Sequence, residues 1–293
     1  MIPTTNKNSQ DIQMSRERKH LVLLGCGKMG SAMLRGWLQR PEQFKHISII
    51  DPEGLSPDIA SSDLISFYSS LDALLTSDVA YIDFVVLAVK PQMMTDAIAP
   101  FGQIALDDIV FLSIAAGLSC DWISRQLGGS GKIVRAMPNT PASVGVGMTA
   151  LYVNEKITGY QREFCISLLQ AVGDVIIIPE EAMMDAVTAL SGSGPAYVFL
   201  LAEAMESAGI RLGLPEVLSK KLARGTIFGA GKLLMQDTSE ASVLRENVTS
   251  KGGTTAAALS VLMKEDVLVN LVIEAMRDAK DRSIELGQRD LPN

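Results

Sequence analysis

The first half of the chain repeats a short run of consecutive apolar residues followed by a segment of helical periodicity. Such runs are typical of strands covered on both faces, as in the parallel sheet of an α/β protein. The runs lie at residues 21–24, 47–50, 84–89, 109–112 and 132–135. Two further strands are predicted at 148–153 and 175–178, on either side of a helix at about 155–172. We therefore expect a doubly wound α/β domain with a parallel sheet over residues 19–179.

The pattern changes after Pro179, where no further strand run follows. Helical patterns lie at residues 182–190, 195–212, 215–235, 239–247, 254–263 and 267–286. They predict an all-helical domain over residues 180–293. Its many small residues allow close helix contacts, either in a tight core or at a subunit interface. Residues 1–18 are polar and are predicted to form a flexible tail.

Composition narrows the classes of function. A chain of 293 residues, 47% of them hydrophobic, is long enough for two domains with their own cores. Its net charge of −7 argues against a nucleic-acid partner, which requires clustered Lys and Arg. Without a signal sequence or an apolar stretch of about 18 residues, the chain is predicted to be cytoplasmic and not membrane-spanning. The 3 cysteines lie far apart and only 2 histidines are present, so neither a disulfide nor a metal site is predicted.

A glycine-rich segment directly follows the first strand run and precedes a helical pattern. It consists of Gly25, Cys26, Gly27, Lys28, Met29 and Gly30. Glycines allow the backbone to turn sharply and to approach a pyrophosphate closely, while the helix that follows offers its free N–H groups to the phosphates. We therefore predict a dinucleotide-binding loop. A tight turn without a ligand is the alternative.

Three other segments lie where predicted strands end, and strand ends face the ligand crevice of a doubly wound sheet. Lys90, in Ala88-Val89-Lys90-Pro91, is predicted to meet cofactor phosphate or ribose, unless it is only solvated. Ala116, in Ser-Ile-Ala-Ala-Gly, is small enough to let a flat nicotinamide lie close, unless it only serves helix packing. Asn139 lies in Arg-Ala-Met-Pro-Asn-Thr-Pro, which forms either a pocket wall or a stiff connection.

Asp51 ends the second strand run, near the usual position of the acid that binds the adenosine ribose. Residues 47–88 contain no Lys or Arg, while Glu53, Asp58 and Asp63 add negative charge. A carboxylate accepts hydrogen bonds from the ribose hydroxyls of NADH and repels the 2′-phosphate of NADPH. We therefore predict that NADH is used at least as well as NADPH. Two alternatives are that Lys28 binds a phosphate and that Asp51 only begins a turn with Pro52.

The helical half contains two segments rich in glycine and hydroxyl groups. Residues 191–195, Ser-Gly-Ser-Gly-Pro, form a hinge or a simple linker before a long helix. Residues 249–255, Thr-Ser-Lys-Gly-Gly-Thr-Thr, precede another helix. Successive N–H groups in a Gly-Gly turn form an anion nest that suits a carboxylate, and the hydroxyls of Ser250 and the two threonines can reach a neighbouring heteroatom. An ordinary capped helix is the alternative.

Taken together and in this order, these segments resemble the pyrroline-5-carboxylate reductase family from about residue 21 to residue 287. The resemblance rests on GCGKMG, AVKPQ, SIAAG, RAMPNTP, DAVTALSGSGPAY and VTSKGGTTAAALSVL, the last of which fits the family signature. It implies a Rossmann-like domain followed by a helical dimerisation domain. It also implies reduction of 1-pyrroline-5-carboxylate to L-proline with NADH or NADPH, by a homodimer or a larger assembly of dimers.

The resemblance also implies the residues of the site. The cofactor would be bound by Gly25, Cys26, Gly27, Lys28, Met29, Gly30, Asp51, Ala88, Val89, Lys90, Pro91, Ala116 and Asn139. The substrate would be bound by Glu181, Asn247, Ser250, Gly253, Thr254 and Thr255. Thr255 matches the threonine whose hydroxyl meets the ring nitrogen. Lys251 departs from the proline that is usual in the family, which makes the turn less rigid.

Two other functions are compatible with the glycine-rich loop. A β-hydroxyacid dehydrogenase places a catalytic lysine on the helix after a glycine-rich hinge, but residues 195–212 contain no lysine. A non-catalytic dinucleotide-binding regulator would keep the loop without needing both the Gly-Gly-Thr-Thr turn and the Ser-Gly-Ser-Gly-Pro hinge.

Overall fold

The computed structural model describes residues 18–54, 59, 62–77, 81–104, 106, 108–129 and 131–289. The predicted N-terminal tail, apart from Arg18, and Asp58 lie outside these residues. Contacts divide the chain into two compact units. The first takes in the chain up to Gly192 and again from Lys280, and the second is Ser193–Ala279. The first unit thus ends later than the predicted boundary at residue 179.

The first unit is built on an eight-stranded sheet with the order β3-β2-β1-β4-β5-β6-β7-β8. The strands are β1 Lys19–Leu24, β2 Phe44–Ile50, β3 Ile65–Tyr68, β4 Phe84–Leu87, β5 Val110–Ser113, β6 Lys132–Met137, β7 Gly147–Val153 and β8 Gly173–Ile177. Strands β2 and β3 lie in succession on one side of β1, and strands β4 to β8 lie in succession on its other side. This order, in which most strands are parallel, confirms the predicted doubly wound α/β fold.

Each face of the sheet has its own apolar core. Neighbouring residues of a strand point to opposite faces, so Leu21 and Leu23 lie in one cluster and Val22 and Leu24 in the other. The helices of this unit are α1 Lys28–Leu38, α2 Leu71–Leu75, α3 Met94–Ile98, α4 Cys120–Gln126, α5 Gly159–Leu169 and α6 Met184–Val187. The buried central strands of the sheet therefore follow from the apolar runs.

Two features of the sheet differ from the sequence prediction. Strand β3 was not predicted, because Ile65–Tyr68 lies at the sheet edge, is mostly half-buried and contains a serine in place of a continuous apolar run. Strands β6 and β7 are antiparallel, since only the short turn Thr140–Val144 and its flanking residues join them. An apolar run predicts that both faces are covered, but it does not set the strand direction.

The second unit is helical, as predicted. Its helices are α7 Gly194–Arg211, α8 Glu216–Gln236, α9 Ala241–Asn247, α10 Thr254–Leu262 and the first part of α11 Val267–Arg289. A π-helical turn, Thr188–Gly192, precedes α7. Among the described helices, none has an apolar stretch long enough to cross a membrane.

The helices of the second unit expose an unusual amount of apolar surface. Phe228 is 73% exposed, Phe199 60% and Leu271 62%. Within this unit the buried side chains include Ser219 and Ala223, both on α8. A monomeric soluble protein rarely leaves large contiguous apolar patches exposed, and such patches are typical of interfaces.

Candidate active site

The glycines of the loop after β1 are required by close backbone contacts. Gly25 has a φ of 95°, and a Cβ atom there would lie 2.9 Å from the backbone carbonyl of Ala88. A Cβ atom on Gly30 would overlap the carbonyl oxygen of Gly25. The N–H of Gly25 donates to the carbonyl of Ile50 at 2.8 Å, which continues the parallel pairing of β1 and β2. The loop is therefore held against two neighbouring strands.

The first turn of α1 is open toward its N-terminus. Gly27 is the N-cap and supplies no side chain to the helix, and nothing lies within 4 Å of the position of its missing Cβ atom. The first N–H groups of a helix have no acceptor within the helix. Open space and free N–H groups at the same place fit a pyrophosphate, which the positive end of the helix stabilises. The structure thus supports the predicted dinucleotide loop.

Asp51 lies directly beside this loop. Its Oδ2 accepts a hydrogen bond of 2.6 Å from the N–H of Cys26, and its Oδ1 accepts one of 2.9 Å from the N–H of Glu53. The bond from Glu53 shows that Asp51 begins a turn with Pro52, which was the alternative interpretation of this residue. The first bond places the carboxylate at the end of β2 against the glycine loop. The predicted contact of Asp51 with the adenosine ribose stays a prediction.

The carboxyl ends of β1, β4 and β5 bring further predicted cofactor residues to the same sheet edge. The N–H of Ala88 donates to the carbonyl of Leu24 at 2.8 Å, and the N–H of Ile114 donates to that of Leu87 at 3.1 Å. Val89 and Ala116 are half-buried, whereas Lys90 is exposed and precedes the turn Pro91–Met93. The edge thus combines the glycine loop and Asp51 with the segments 88–91 and 114–117.

Asn139 uses its side chain within the protein. Its Oδ1 accepts a hydrogen bond of 2.9 Å from the N–H of Met148, and its Nδ2 lies 3.4 Å from Ser191 Oγ. These bonds fix the turn between β6 and β7 and connect it to the π-helical turn before α7. Its predicted contact with the cofactor stays a prediction.

Glu181 has partners that the sequence did not indicate. Its Oε1 accepts hydrogen bonds of 2.7 Å from both Arg135 Nη1 and the N–H of Cys120. Arg135, on β6, has a side chain only 7% exposed, so Glu181 neutralises a buried cation and also caps α4. Burial, reinforced by the nearby Glu181 charge, raises the pKa of the Cys120 thiol to about 12, which keeps it protonated. The predicted substrate contact of Glu181 stays a prediction.

One signal for this ion pair is present in the sequence. Arg135 interrupts the apolar run of a strand that the pattern predicts to be covered on both faces. A charge buried there requires an opposite charge close by. The pattern does not say which acidic residue provides it, because Glu181 is distant in sequence.

The second unit holds the remaining predicted site residues. Ser250, Gly253, Thr254 and Thr255 lie together in the turn that begins α10, and Asn247 ends α9. Gly252 has a φ of 72°, and the N–H of Gly253 donates to the carbonyl of Ser250 at 3.0 Å. A Cβ atom on Gly253 would lie 2.5 Å from Ser250 Oγ. The positive φ of Gly252 favours glycine at that position, and glycine at 253 leaves room for the Ser250 side chain.

The start of α10 has the features expected of a carboxylate site. Gly253 is the N-cap, no side chain caps the helix, and Thr254 and Thr255 occupy its first two positions. Their N–H groups have no acceptor within the helix. Ser250 and Thr254 are exposed and Thr255 is half-buried. The turn forms with Lys251, which is exposed, in place of the usual proline.

A doubly wound sheet whose first strand leads through a tight glycine loop into an open helix N-terminus defines a dinucleotide-binding protein of the Rossmann type. Residues 20–117 match the family model described as NADP oxidoreductase coenzyme F420-dependent. Residues 181–286 match the one described as pyrroline-5-carboxylate reductase dimerisation. The chain is also 38% identical over 273 residues to pyrroline-5-carboxylate reductase of Haemophilus influenzae, covering 92% of this chain and 98% of the relative. The chain belongs to the pyrroline-5-carboxylate reductase family.

Solved structures of the same family have the same fold. A pyrroline-5-carboxylate reductase from Coxiella burnetii is 32% identical, with a TM-score of 0.79 over 92% of this chain and 99% of that one. The Plasmodium falciparum pyrroline carboxylate reductase with NADP bound is 29% identical, with a TM-score of 0.73 and the same coverage of both chains.

Proposed function

We propose that the protein reduces 1-pyrroline-5-carboxylate to L-proline with a reduced nicotinamide dinucleotide. The observation that carries this proposal is the turn at Ser250–Thr255, whose glycines and free helix N–H groups suit a carboxylate, in a chain that also has a glycine loop suited to a dinucleotide. The family relatives support the substrate, since those cited above carry this activity in their names. The fold alone would leave the substrate open.

The chemistry requires little from the protein beyond orientation. The dinucleotide supplies a hydride for the carbon of the C=N bond. The N–H groups at the start of α10 hold the substrate carboxylate, and Thr255 donates a hydrogen bond to the ring nitrogen. A threonine hydroxyl is a poor acid, so Thr255 orients and polarises the imine without giving up its proton. The proton on the product nitrogen comes from solvent or is already on the imine when it binds.

We further propose that NADH serves at least as well as NADPH. The carboxylate of Asp51 is fixed beside the glycine loop by the N–H of Cys26. There it would accept hydrogen bonds from ribose hydroxyls and oppose a 2′-phosphate. In the described part of residues 47–88 the charged side chains are all acidic, so this stretch offers no compensating cation. Lys28, exposed at the start of α1, is the cation available nearby.

We also propose that the helical unit forms a homodimer or a larger assembly of dimers. The exposed apolar side chains of α7, α8 and α11 support this, as does the match of residues 181–286 to the dimerisation family.

The two rival functions are less well supported. Helix α7, Gly194–Arg211, contains no lysine, which a β-hydroxyacid dehydrogenase would need there. A regulator without activity would not require the two constrained glycines before α10.

The direct test is oxidation of NADH or NADPH by the full-length protein with 1-pyrroline-5-carboxylate, followed by absorbance. We expect turnover with this imine and none with β-hydroxyacids plus the oxidised cofactors. Turnover of β-hydroxyacids alone would overturn the proposal, as would cofactor binding with no reaction of the imine.

A further inference from the structure

The last part of α11 contacts the loop that follows β5. A Cβ atom on Gly287 would overlap the carbonyl oxygen of Gly117, and a Cβ atom on Gly117 would lie 2.9 Å from the backbone nitrogen of Gly287. The φ of Gly117 is 81°, which already favours glycine. Two glycines that face each other thus allow a helix and a loop of the first unit to touch through their backbones.

One turn earlier, the same face of α11 makes a second contact with the first unit. Ser283 and Gly287 are four residues apart and therefore share a face of the helix. Ser283 is only 3% exposed, and its Oγ donates a hydrogen bond of 2.7 Å to Asp185 Oδ1 on α6. The carbonyl oxygen of Ser283 would lie 3.1 Å from a Cβ atom on Gly117. A shift of α11 away from Gly117 would therefore also strain its hydrogen bond to Asp185 on α6.

The loop that α11 contacts belongs to the edge where the dinucleotide is proposed to bind. Gly117 directly follows Ala116, and Ala115 is 6% exposed. The N–H of Ile114 is bonded to Leu87, next to Ala88, and Ala88 is in close contact with Gly25. A shift of Gly117 would therefore move the neighbouring residues that would line the nicotinamide half of the cofactor.

We propose that Gly287 and Ser283 are positioning residues for the dinucleotide. They hold the loop 114–117 in the position that cofactor binding requires. Neither residue touches the cofactor in this proposal, and both act through Gly117 and Asp185. The inference rests on the proposed use of a nicotinamide dinucleotide. It assigns a role in cofactor binding to the C-terminal helix, in addition to the glycine loop and Asp51.

The test compares three variants of the full-length enzyme by titration with NADH and NADPH and by steady-state kinetics. Gly287→Ala forces α11 and the loop apart, and we expect the Kd of both dinucleotides to rise about tenfold, about 1.4 kcal/mol. Ser283→Ala keeps the glycine contact and removes the bond to Asp185, so a smaller rise in the same direction is expected. Gln288→Ala, on the exposed side of the same turn, should leave the Kd unchanged.

The KM values for the dinucleotide and the imine distinguish a role in positioning the cofactor from a general destabilisation of the fold. We expect the KM for the dinucleotide to rise and the KM for 1-pyrroline-5-carboxylate to stay at its wild-type value. A wild-type Kd in a folded Gly287→Ala variant would overturn the inference, as would an equal rise in both KM values. If Gly287→Ala does not fold, the same Kd and KM measurements on Ser283→Ala test the inference. Wild-type enzyme that binds dinucleotide without reducing the imine would refute the proposed function, while the Kd values would still test this inference.

Discussion

At the scale of single residues, Thr255 and Asp51 determine most of the proposed specificity. Thr255 is the second residue of α10 and is half-buried, so its hydroxyl lies at a helix start with free N–H groups. Asp51 is also half-buried and has one hydrogen bond on each carboxylate oxygen. Each oxygen has further lone pairs, and these are what a ribose hydroxyl would use.

Replacement of Thr255 should lower turnover without unfolding the protein. We expect Thr255→Ala to reduce kcat by about 10–100-fold, because one polarising contact to the ring nitrogen is lost. Thr255→Ser keeps the hydroxyl and should retain most of the activity. Steady-state kinetics on variants with the far-UV spectrum of the wild type would check this. Wild-type kcat in Thr255→Ala would remove the residue from the mechanism.

Replacement of Asp51 should change the choice of cofactor. Asp51→Asn removes the negative charge, so the ratio of kcat/KM for NADPH over NADH should rise by about tenfold, about 1.4 kcal/mol. Glu53→Gln removes a neighbouring exposed charge and serves as the matched control, with little expected change. A wild-type preference for NADPH of tenfold or more would show that Asp51 does not discriminate as proposed.

At the scale of elements, one ion pair connects three segments of the first unit. Arg135 lies on β6, Cys120 begins α4, and Glu181 begins the turn Glu181–Met183 that leads into α6. The carboxylate is therefore shared between a buried guanidinium and a helix N-terminus. Its removal would take this acceptor from the guanidinium and from the N–H of Cys120, while Ser119 would still accept from the N–H of Trp122.

Loss of the Glu181 charge should destabilise the fold. Glu181→Gln should lower the free energy of unfolding by about 1–3 kcal/mol, because Arg135 stays buried without a counter-charge. The control is Glu285→Gln, which breaks the exposed pair with Arg282 and should change the free energy by less than about 1 kcal/mol. Denaturant unfolding of both variants measures the difference. Equal effects would mean that the buried pair contributes no more than a surface pair.

The histidines of β1 and β2 should make stability depend on pH. Nδ1 of His20 lies 3.0 Å from the carbonyl of Tyr81 and its Nε2 lies 2.8 Å from Ser48 Oγ. Burial lowers the pKa of both His20 and His46 from the usual 6.5. The unfolded chain therefore binds more protons than the folded one below about pH 6.5, and stability is lost as the pH falls from there toward the folded pKa values.

Thermal unfolding between about pH 7.5 and about pH 5.5 would measure this dependence. The Tm of the wild type should fall across this range, and His20→Gln should flatten the fall more than His46→Gln, because His46 is less buried. An unchanged slope in His20→Gln would assign the pH dependence to other groups.

At the scale of the whole molecule, the sequence predicts what depends on local patterns. The apolar runs predict most of the strands, and the glycine spacing predicts both the loop at Gly25 and the turn at Gly253. Strand β3 and the antiparallel direction of β7 are missed, because edge position and strand direction depend on distant segments. The same holds for contacts near the site. The resemblance assigns Glu181 to the substrate, which stays a prediction, and neither its bond to Arg135 nor the contact of Gly117 with Gly287 was predicted, because both join residues far apart in sequence.

The helical unit should determine the size of the assembly. We expect the wild type to be at least a dimer at micromolar concentration by light scattering. Phe228→Asp places a charge on a helix residue that is 73% exposed in the single chain, and it should shift the protein toward monomer, because burying an unpaired carboxylate opposes association. Phe67→Asp is the matched control, since Phe67 is 41% exposed on edge strand β3 of the first unit and should leave the assembly unchanged. A wild-type monomer with full activity would refute the proposed assembly, and dissociation by Phe67→Asp but not by Phe228→Asp would move the interface to the sheet edge.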